Sequence, residues 1–207
     1  MRILGVTGGC GTGKSTVCRI LEEHGGIVLD ADQIARELQS VGGPAYRDIV
    51  EAFGSGILQK DRSLDRKKLA EMVFRNPALR RKLNQAVHRH VSSEIKRRIR
   101  EIEAQNQSKE AFIVLDVPLP IEDGFFDVVD RIWTVTANCD LRADRLIARM
   151  GISRAEADAR IRSQMSSREY EAIADTVIEN EKGEAELRAA VEKALADFLA
   201  TRQVKFD

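Results

Sequence analysis

Short apolar runs alternate along this chain with longer stretches in which apolar residues return every three or four positions. The runs are Ile3–Val6, Ile27–Leu29, Phe112–Leu115, Val128–Val135 and Thr176–Ile178. Continuous apolar runs of this length suit strands buried on both faces, as in a parallel sheet covered by helices. Leu79, Leu83, Val87, Val91, Ile95 and Ile99 recur at four-residue spacing with Arg, Lys and Glu between them. They draw one apolar stripe down a long helix, opened by Pro77 in its first turn. Leu187, Val191, Leu195 and Phe198 form a second stripe on a last helix.

The order of these elements predicts an α/β fold, a doubly wound parallel sheet of about five strands. Two strands come early, then helical patterns only, then the remaining strands. The expected layout is one domain over 1–207, with a core of about 1–35, 110–140 and 173–207. A helical insertion occupies about 36–109, and a second helical stretch about 141–172. The second stretch is rich in Arg and poor in large apolar residues, so it is expected to pack loosely and move as a lid.

Composition narrows the classes. A chain of 207 residues is long enough to bury a core unaided. Lys+Arg and Asp+Glu stand at 33 each, which removes net charge as an argument for nucleic-acid binding. Cys10, Cys18 and Cys139 show no C-x-x-C spacing, and so sparse a set fits a reducing compartment. The first residues enter a glycine run without a basic and then apolar leader, and no window approaches the ~20 apolar residues of a membrane helix. A cytoplasmic protein without a membrane segment is expected. No exposed apolar face stands out from which an oligomeric state could be read.

Residues 8–15, Gly-Gly-Cys-Gly-Thr-Gly-Lys-Ser, satisfy the pattern G-x-x-x-x-G-K-[ST] between a predicted strand and a predicted helix. Gly8, Gly9, Gly11 and Gly13 let the backbone, Thr12 included, turn its N–H groups toward phosphate oxygens. The helix that follows adds its N-terminal donors and dipole. Lys14 is expected at the β- and γ-phosphates and the Ser15 hydroxyl at Mg²⁺. Thr16 has two readings, an α-phosphate contact or an ordinary first-turn threonine. The N-K-x-D and D-x-x-G segments of a switch GTPase are absent. The pattern thus points to an ATP-using kinase for a small molecule.

More specific segments follow. Asp30-Ala-Asp-Gln-Ile-Ala-Arg36 comes after the second strand, with Gly43-Pro44-Ala45 and Phe53-Gly54 beyond it. Val73-Phe-Arg-Asn-Pro77, Leu83-Asn84 with His88, and Asp116-Val-Pro-Leu119 with Glu122 continue the series. Gln164 with Arg168, and Ala174-Asp-Thr-Val-Ile178 with Asn180 and Gly183, complete it. Taken with the glycine loop, this combination resembles the dephospho-coenzyme A kinase family over nearly the whole chain. The resemblance implies transfer of the γ-phosphoryl of MgATP to the ribose 3′-hydroxyl of dephospho-CoA, with those two small molecules as partners. Two departures stand out. Arg89 follows His88 where the family usually has proline, and Leu119-Pro120 replaces a pair of leucines.

The resemblance places the catalytic carboxylate at Asp32, beyond the end of the second strand. The bland reading of Asp32 is an N-cap for a helix starting near Gln33. Asp30 reads as a loop ligand or an indirect metal group, and Asp116 as a metal-supporting carboxylate or a strand-end cap. Arg36, four residues after Asp32, is expected to face the same site. Arg142, Arg145, Arg149 and Arg168 are the lid arginines. Arg145 and Arg168 are favoured for neutralising the transferred group, with Arg149 and Gln164 beside them; a solvated charged face is the alternative. His88, Pro118 and Leu119 are assigned to the acceptor, with a packed core role as the other reading of His88. Asn180 lies on the adenine side or is a turn former. Two rivals stay open: a kinase for a nucleoside, nucleotide or shikimate-like alcohol, and a regulator that binds ATP without transferring its phosphate.

Overall fold

The computed structural model describes residues 1–74, 76–106, 111–117 and 126–200. The strands are β1 (Arg2–Thr7), β2 (Gly26–Asp30), β3 (Phe112–Asp116), β4 (Arg131–Thr136) and β5 (Thr176–Glu179). They lie in the order β2-β3-β1-β4-β5, with β1 parallel to β3 and β4, and β4 parallel to β5. This is the doubly wound parallel sheet that the apolar runs predict. The helices are α1 (Lys14–Glu23), α2 (Ala31–Leu38), α3 (Pro44–Phe53), α4 (Arg66–Phe74) and α5 (Pro77–Gln105), then α6 (Cys139–Met150), α7 (Arg154–Arg162), α8 (Ser167–Ala172) and α9 (Glu184–Ala200).

One expected strand starts late. The run from Val128 enters the sheet only at Arg131, and Phe126–Val128 forms a 3₁₀ turn. Asp130 explains the boundary. Its carboxylate accepts from the Ile3 N–H at 2.7 Å and its own N–H donates to the Ile3 carbonyl at 2.7 Å, closing the end of β1.

The chain divides into two compact units, Met1–Leu29 with Asn106–Asp207, and Asp30–Gln105. In the first, Leu4 and Val6 of β1, Phe112 and Val114 of β3, and Trp133 and Val135 of β4 pack with Val17, Ile20 and Leu21 of α1. Leu187, Val191, Leu195 and Phe198 of α9 close the same cluster, as their spacing predicts. At about 25 cal/mol per Å² of apolar surface removed from water, a cluster of this kind supplies the main drive for folding.

The second unit is helical. Asn76 opens α5 by accepting the N–H groups of Ala78 and Leu79 at 3.0 and 3.2 Å, and Pro77 takes the position where a missing N–H costs nothing. Val91, Ile95 and Ile99 are buried, while Leu83 and Val87 pack against Tyr46, Ile49, Ile57, Leu64 and Leu69. On the same helix Glu94 binds Arg97 at 2.7 Å and Arg98 at 2.8 Å, and Arg98 reaches Glu37 of α2 at 2.6 Å. These guanidinium bonds, Arg97 first, outweigh partial burial and hold the Glu94 carboxyl down at about 2. A depressed carboxylate contributes stability above its unfolded pKa and loses it as pH falls toward the folded value. Thermal midpoints are therefore expected to drop between about pH 4.5 and pH 2, with a smaller drop in Glu94→Gln, as circular dichroism melts can check.

The Arg-rich stretch is better packed than expected. Asn138 caps α6, and Ser153 and Ser166 form capping boxes with Glu156 and Glu169 at the starts of α7 and α8. Ala143 and Leu146 of α6 bury against Ala157 and Ile161 of α7, with Cys10 packed on the cluster. Small residues let the helices approach closely, so a core forms without large side chains.

Candidate functional site

In a doubly wound sheet, ligands bind beyond the carboxyl ends of the strands where the strand order reverses. Here β1 lies between β3 and β4, and residues 8–15 leave its carboxyl end. The loop closes on α1 through Gly13, whose φ of 93° is left-handed. A Cβ at Gly13 would also collide with the Asn180 amide, so glycine is required twice over.

Side chains from distant parts of the first unit hold the loop from outside. Asn180 Nδ2 donates to the Thr12 carbonyl at 2.8 Å. Arg145 Nη1 donates to the Gly11 and Thr12 carbonyls, each at 3.3 Å, and its Nη2 to the Asn180 carbonyl at 3.1 Å. Arg142 Nε donates to the Cys10 carbonyl at 2.9 Å. The Gln164 side-chain oxygen accepts the Cys10 N–H at 2.7 Å. Within the loop, Thr12 Oγ1 donates to the Gly9 carbonyl at 2.9 Å.

These bonds have a directional consequence. A carbonyl and the N–H that follows it point opposite ways across a trans peptide. Holding the Cys10 and Thr12 carbonyls from one side turns the Gly11 and Gly13 N–H groups to the other. The first N–H groups of α1 have no intrahelical acceptor and carry the positive end of the helix dipole. Together they make a concave set of donors suited to an anion.

At the end of β3, Asp116 is half-buried and forms an ion pair with the Lys14 ammonium. Ser15 is exposed in the first turn of α1, and Thr16 is half-buried beside it. Among the described residues no group of three His, Cys, Asp or Glu side chains is arranged to hold a metal. The oxygen donors present, the Ser15 hydroxyl and the Asp116 carboxylate, suit a Mg²⁺ ion that retains waters and phosphate ligands.

In the second unit the structure corrects the capping assignment. Asp30, not Asp32, is the N-cap of α2, and its carboxylate accepts the Gln33 N–H at 2.9 Å. Asp30 is still extended (φ −83°, ψ 108°), so the helix starts at Ala31 and Asp32 falls in the first turn, exposed. Arg36 approaches Asp30 at 3.8 Å. His88 is half-buried on α5. Arg89, where the family pattern has proline, donates through Nε to Asp48 of α3 at 3.1 Å, and His90 pairs with the same carboxylate. These two bonds, Arg89 first, keep the Asp48 carboxyl below its ordinary range.

Of the expected lid residues, Arg145 and Gln164 meet the glycine loop, while Arg149 and Arg168 are exposed. Pro118 and Leu119 lie outside the described residues, as do Arg75, Pro120 and Glu122. Two contributions exceed what the sequence reading offered. Asn180 is a buried brace of the loop rather than a simple turn former. Arg142, grouped with the lid arginines by sequence, is 2 % exposed and bonded to the loop backbone. The clue to Arg142 was its place four residues before Leu146, on the inward face of α6.

A parallel doubly wound sheet whose first strand runs through a glycine loop into a helix opened by Gly13 defines a P-loop kinase-type fold. The model of the family described as dephospho-CoA kinase matches residues 2–186, and the chain belongs to that family. A dephospho-CoA kinase of Symbiobacterium thermophilum is 43 % identical over 194 residues, covering 94 % of this chain and 80 % of that protein. Among solved structures, TT1252 from Thermus thermophilus is 32 % identical with a TM-score of 0.81, covering 97 % of this chain and 98 % of the other. The dephospho-CoA kinase from Campylobacter jejuni is 25 % identical with a TM-score of 0.68, covering 96 % and 98 %.

Proposed function

We propose that the chain transfers the γ-phosphoryl group of MgATP to the ribose 3′-hydroxyl of dephospho-CoA, giving CoA. The observation that carries the donor half is the braced loop at residues 8–15, whose carbonyls are held from outside by Arg142, Arg145 and Asn180. Family membership carries the acceptor half.

In this reading Gly8, Gly9 and Gly11 to Thr16 surround the polyphosphate. Lys14, paired with Asp116 in the ligand-free protein, turns to the phosphate oxygens; the Ser15 hydroxyl and the Asp116 carboxylate are the groups that would hold Mg²⁺. When bound, that ion would neutralise charge on the phosphates. Asp32 orients the acceptor hydroxyl and takes its proton as the oxygen–phosphorus bond forms and the bond to the ADP oxygen breaks. The helical insertion of about 36–109 forms the acceptor part, with Arg36 and His88 in contact with dephospho-CoA. Residues 141–172 form the lid, from which Arg145, Arg149 and Arg168 offset charge on the transferred group. Backbone near Asn180 receives the adenine.

Cys10, Cys18 and Cys139 form no disulfide among the described residues, and their sparse, unpatterned spacing suits a reducing cytoplasmic setting. No helix among the described residues is long and apolar enough to cross a membrane. Turnover with MgATP over a panel of dephospho-CoA, shikimate and nucleosides tests the proposal. The highest kcat/KM is expected on dephospho-CoA. Turnover of another alcohol with none on dephospho-CoA would replace it.

A further inference from the structure

Arg142 presents a problem that its bond to the loop does not solve. The side chain is 2 % exposed, and its Nη2 is buried without any hydrogen-bond partner. No carboxylate among the described residues pairs with it. A guanidinium stays charged in any protein, and a buried charge without a counter-ion is costly. A neutral acceptor, the Cys10 carbonyl at Nε, satisfies one part of the group but leaves its charge in place.

The surroundings show where that charge acts. The Arg142 guanidinium lies against the backbone of Gly9, so closely that a Cβ there would collide with Nη2. A Cβ on Gly11 would come within 2.6 Å of the Arg142 carbonyl. The outer limb of the glycine loop, Gly9 to Gly11, therefore packs directly on Arg142, with Gln164 and Arg145 bonded to the same limb. The positive group lies on the same limb that turns the Gly11 N–H toward the anion-binding side.

We propose that Arg142 is a positioning residue that supplies a buried counter-charge to the polyphosphate. It sits beneath the loop rather than over it, and the anion on the far side is the partner its charge lacks. This rests on reading residues 8–15 as a polyphosphate site, and is independent of the acceptor. The ligand-free protein then carries an unpaired cation that binding relieves. Polyphosphate affinity is gained at the expense of ligand-free stability.

Arg142→Gln tests this, because the glutamine amide removes the charge and retains a donor for the Cys10 carbonyl. Calorimetric titrations would use inorganic triphosphate, MgATP and AMP as probes, with a thermal melt of each ligand-free protein. Affinity for triphosphate and MgATP is expected to fall at least about tenfold and that for AMP less than threefold, since the loss follows ligand charge. The ligand-free midpoint is expected to equal or exceed the parent's. Equal losses for all three probes, unchanged triphosphate affinity, or a variant that melts well below the parent would each overturn the counter-charge and leave a purely structural arginine. If the parent itself fails to bind triphosphate and MgATP, the nucleotide reading fails as well.

Discussion

Replacing Lys14 by alanine is expected to reduce kcat/KM for MgATP by roughly 10²–10³-fold, the scale of losing one preorganised group aimed at developing charge. Lys14 opens α1 directly after Gly13, so its backbone stays in place when the side chain is removed. In the ligand-free protein its ammonium is paired with Asp116, and both groups keep some contact with solvent. Losing a partly solvated pair costs little stability, and the melting midpoint should move only slightly. The loss therefore falls on binding and transfer rather than on folding. Steady-state kinetics with a parallel melt separates the two; parental kcat/KM in Lys14→Ala would remove the lysine from the reaction.

The second large effect belongs to Asp32. Asp32→Asn is expected to lower kcat by roughly 10²-fold or more, as for loss of a general base, while the dissociation constant for MgATP stays within about twofold. The capping geometry makes this a clean test. Asp30 closes the N-terminus of α2, so the fold does not need the Asp32 carboxylate as a cap. Asp30→Ala should show the opposite signature, a loss of about 1 kcal/mol in stability by chemical denaturation, the usual value of an N-cap. If Asp32→Asn turns over like the parent, proton acceptance lies elsewhere.

The sheet was legible because burial on both faces leaves no room for polar residues. Phe112 to Leu115 are all buried, and an apolar run of that kind is visible without coordinates. The stripe of α9 was legible for the same reason, since Leu187, Val191, Leu195 and Phe198 share one face. Boundaries were less so. Which of Asp30 and Asp32 caps α2 depends on where the chain leaves the extended conformation, and either aspartate could have served. Val128 to Asp130 read as strand because Val128 and Val129 are apolar, but the chain first has to turn and close the end of β1 through Asp130.

At the glycine loop, spacing revealed the donors and missed what orients them. The bond from Arg142 to Cys10 spans 132 positions, and that from Asn180 to Thr12 spans 168. Nothing local marks such pairs. Arginine in a charged helix is most often solvated, so the burial of Arg142 emerges only when α6 is set against the loop. Even the small-residue core of α6 and α7 had a readable cause afterwards, because alanines at Ala143 and Ala157 permit close packing where bulk was expected.

The most direct test of the account is the product of one reaction. The protein, MgATP and dephospho-CoA are incubated together and the phosphorus spectrum is followed. A new monoester on the ribose 3′-oxygen, appearing in step with ADP, is the predicted result. ADP formed with inorganic phosphate and no ribose monoester would contradict it.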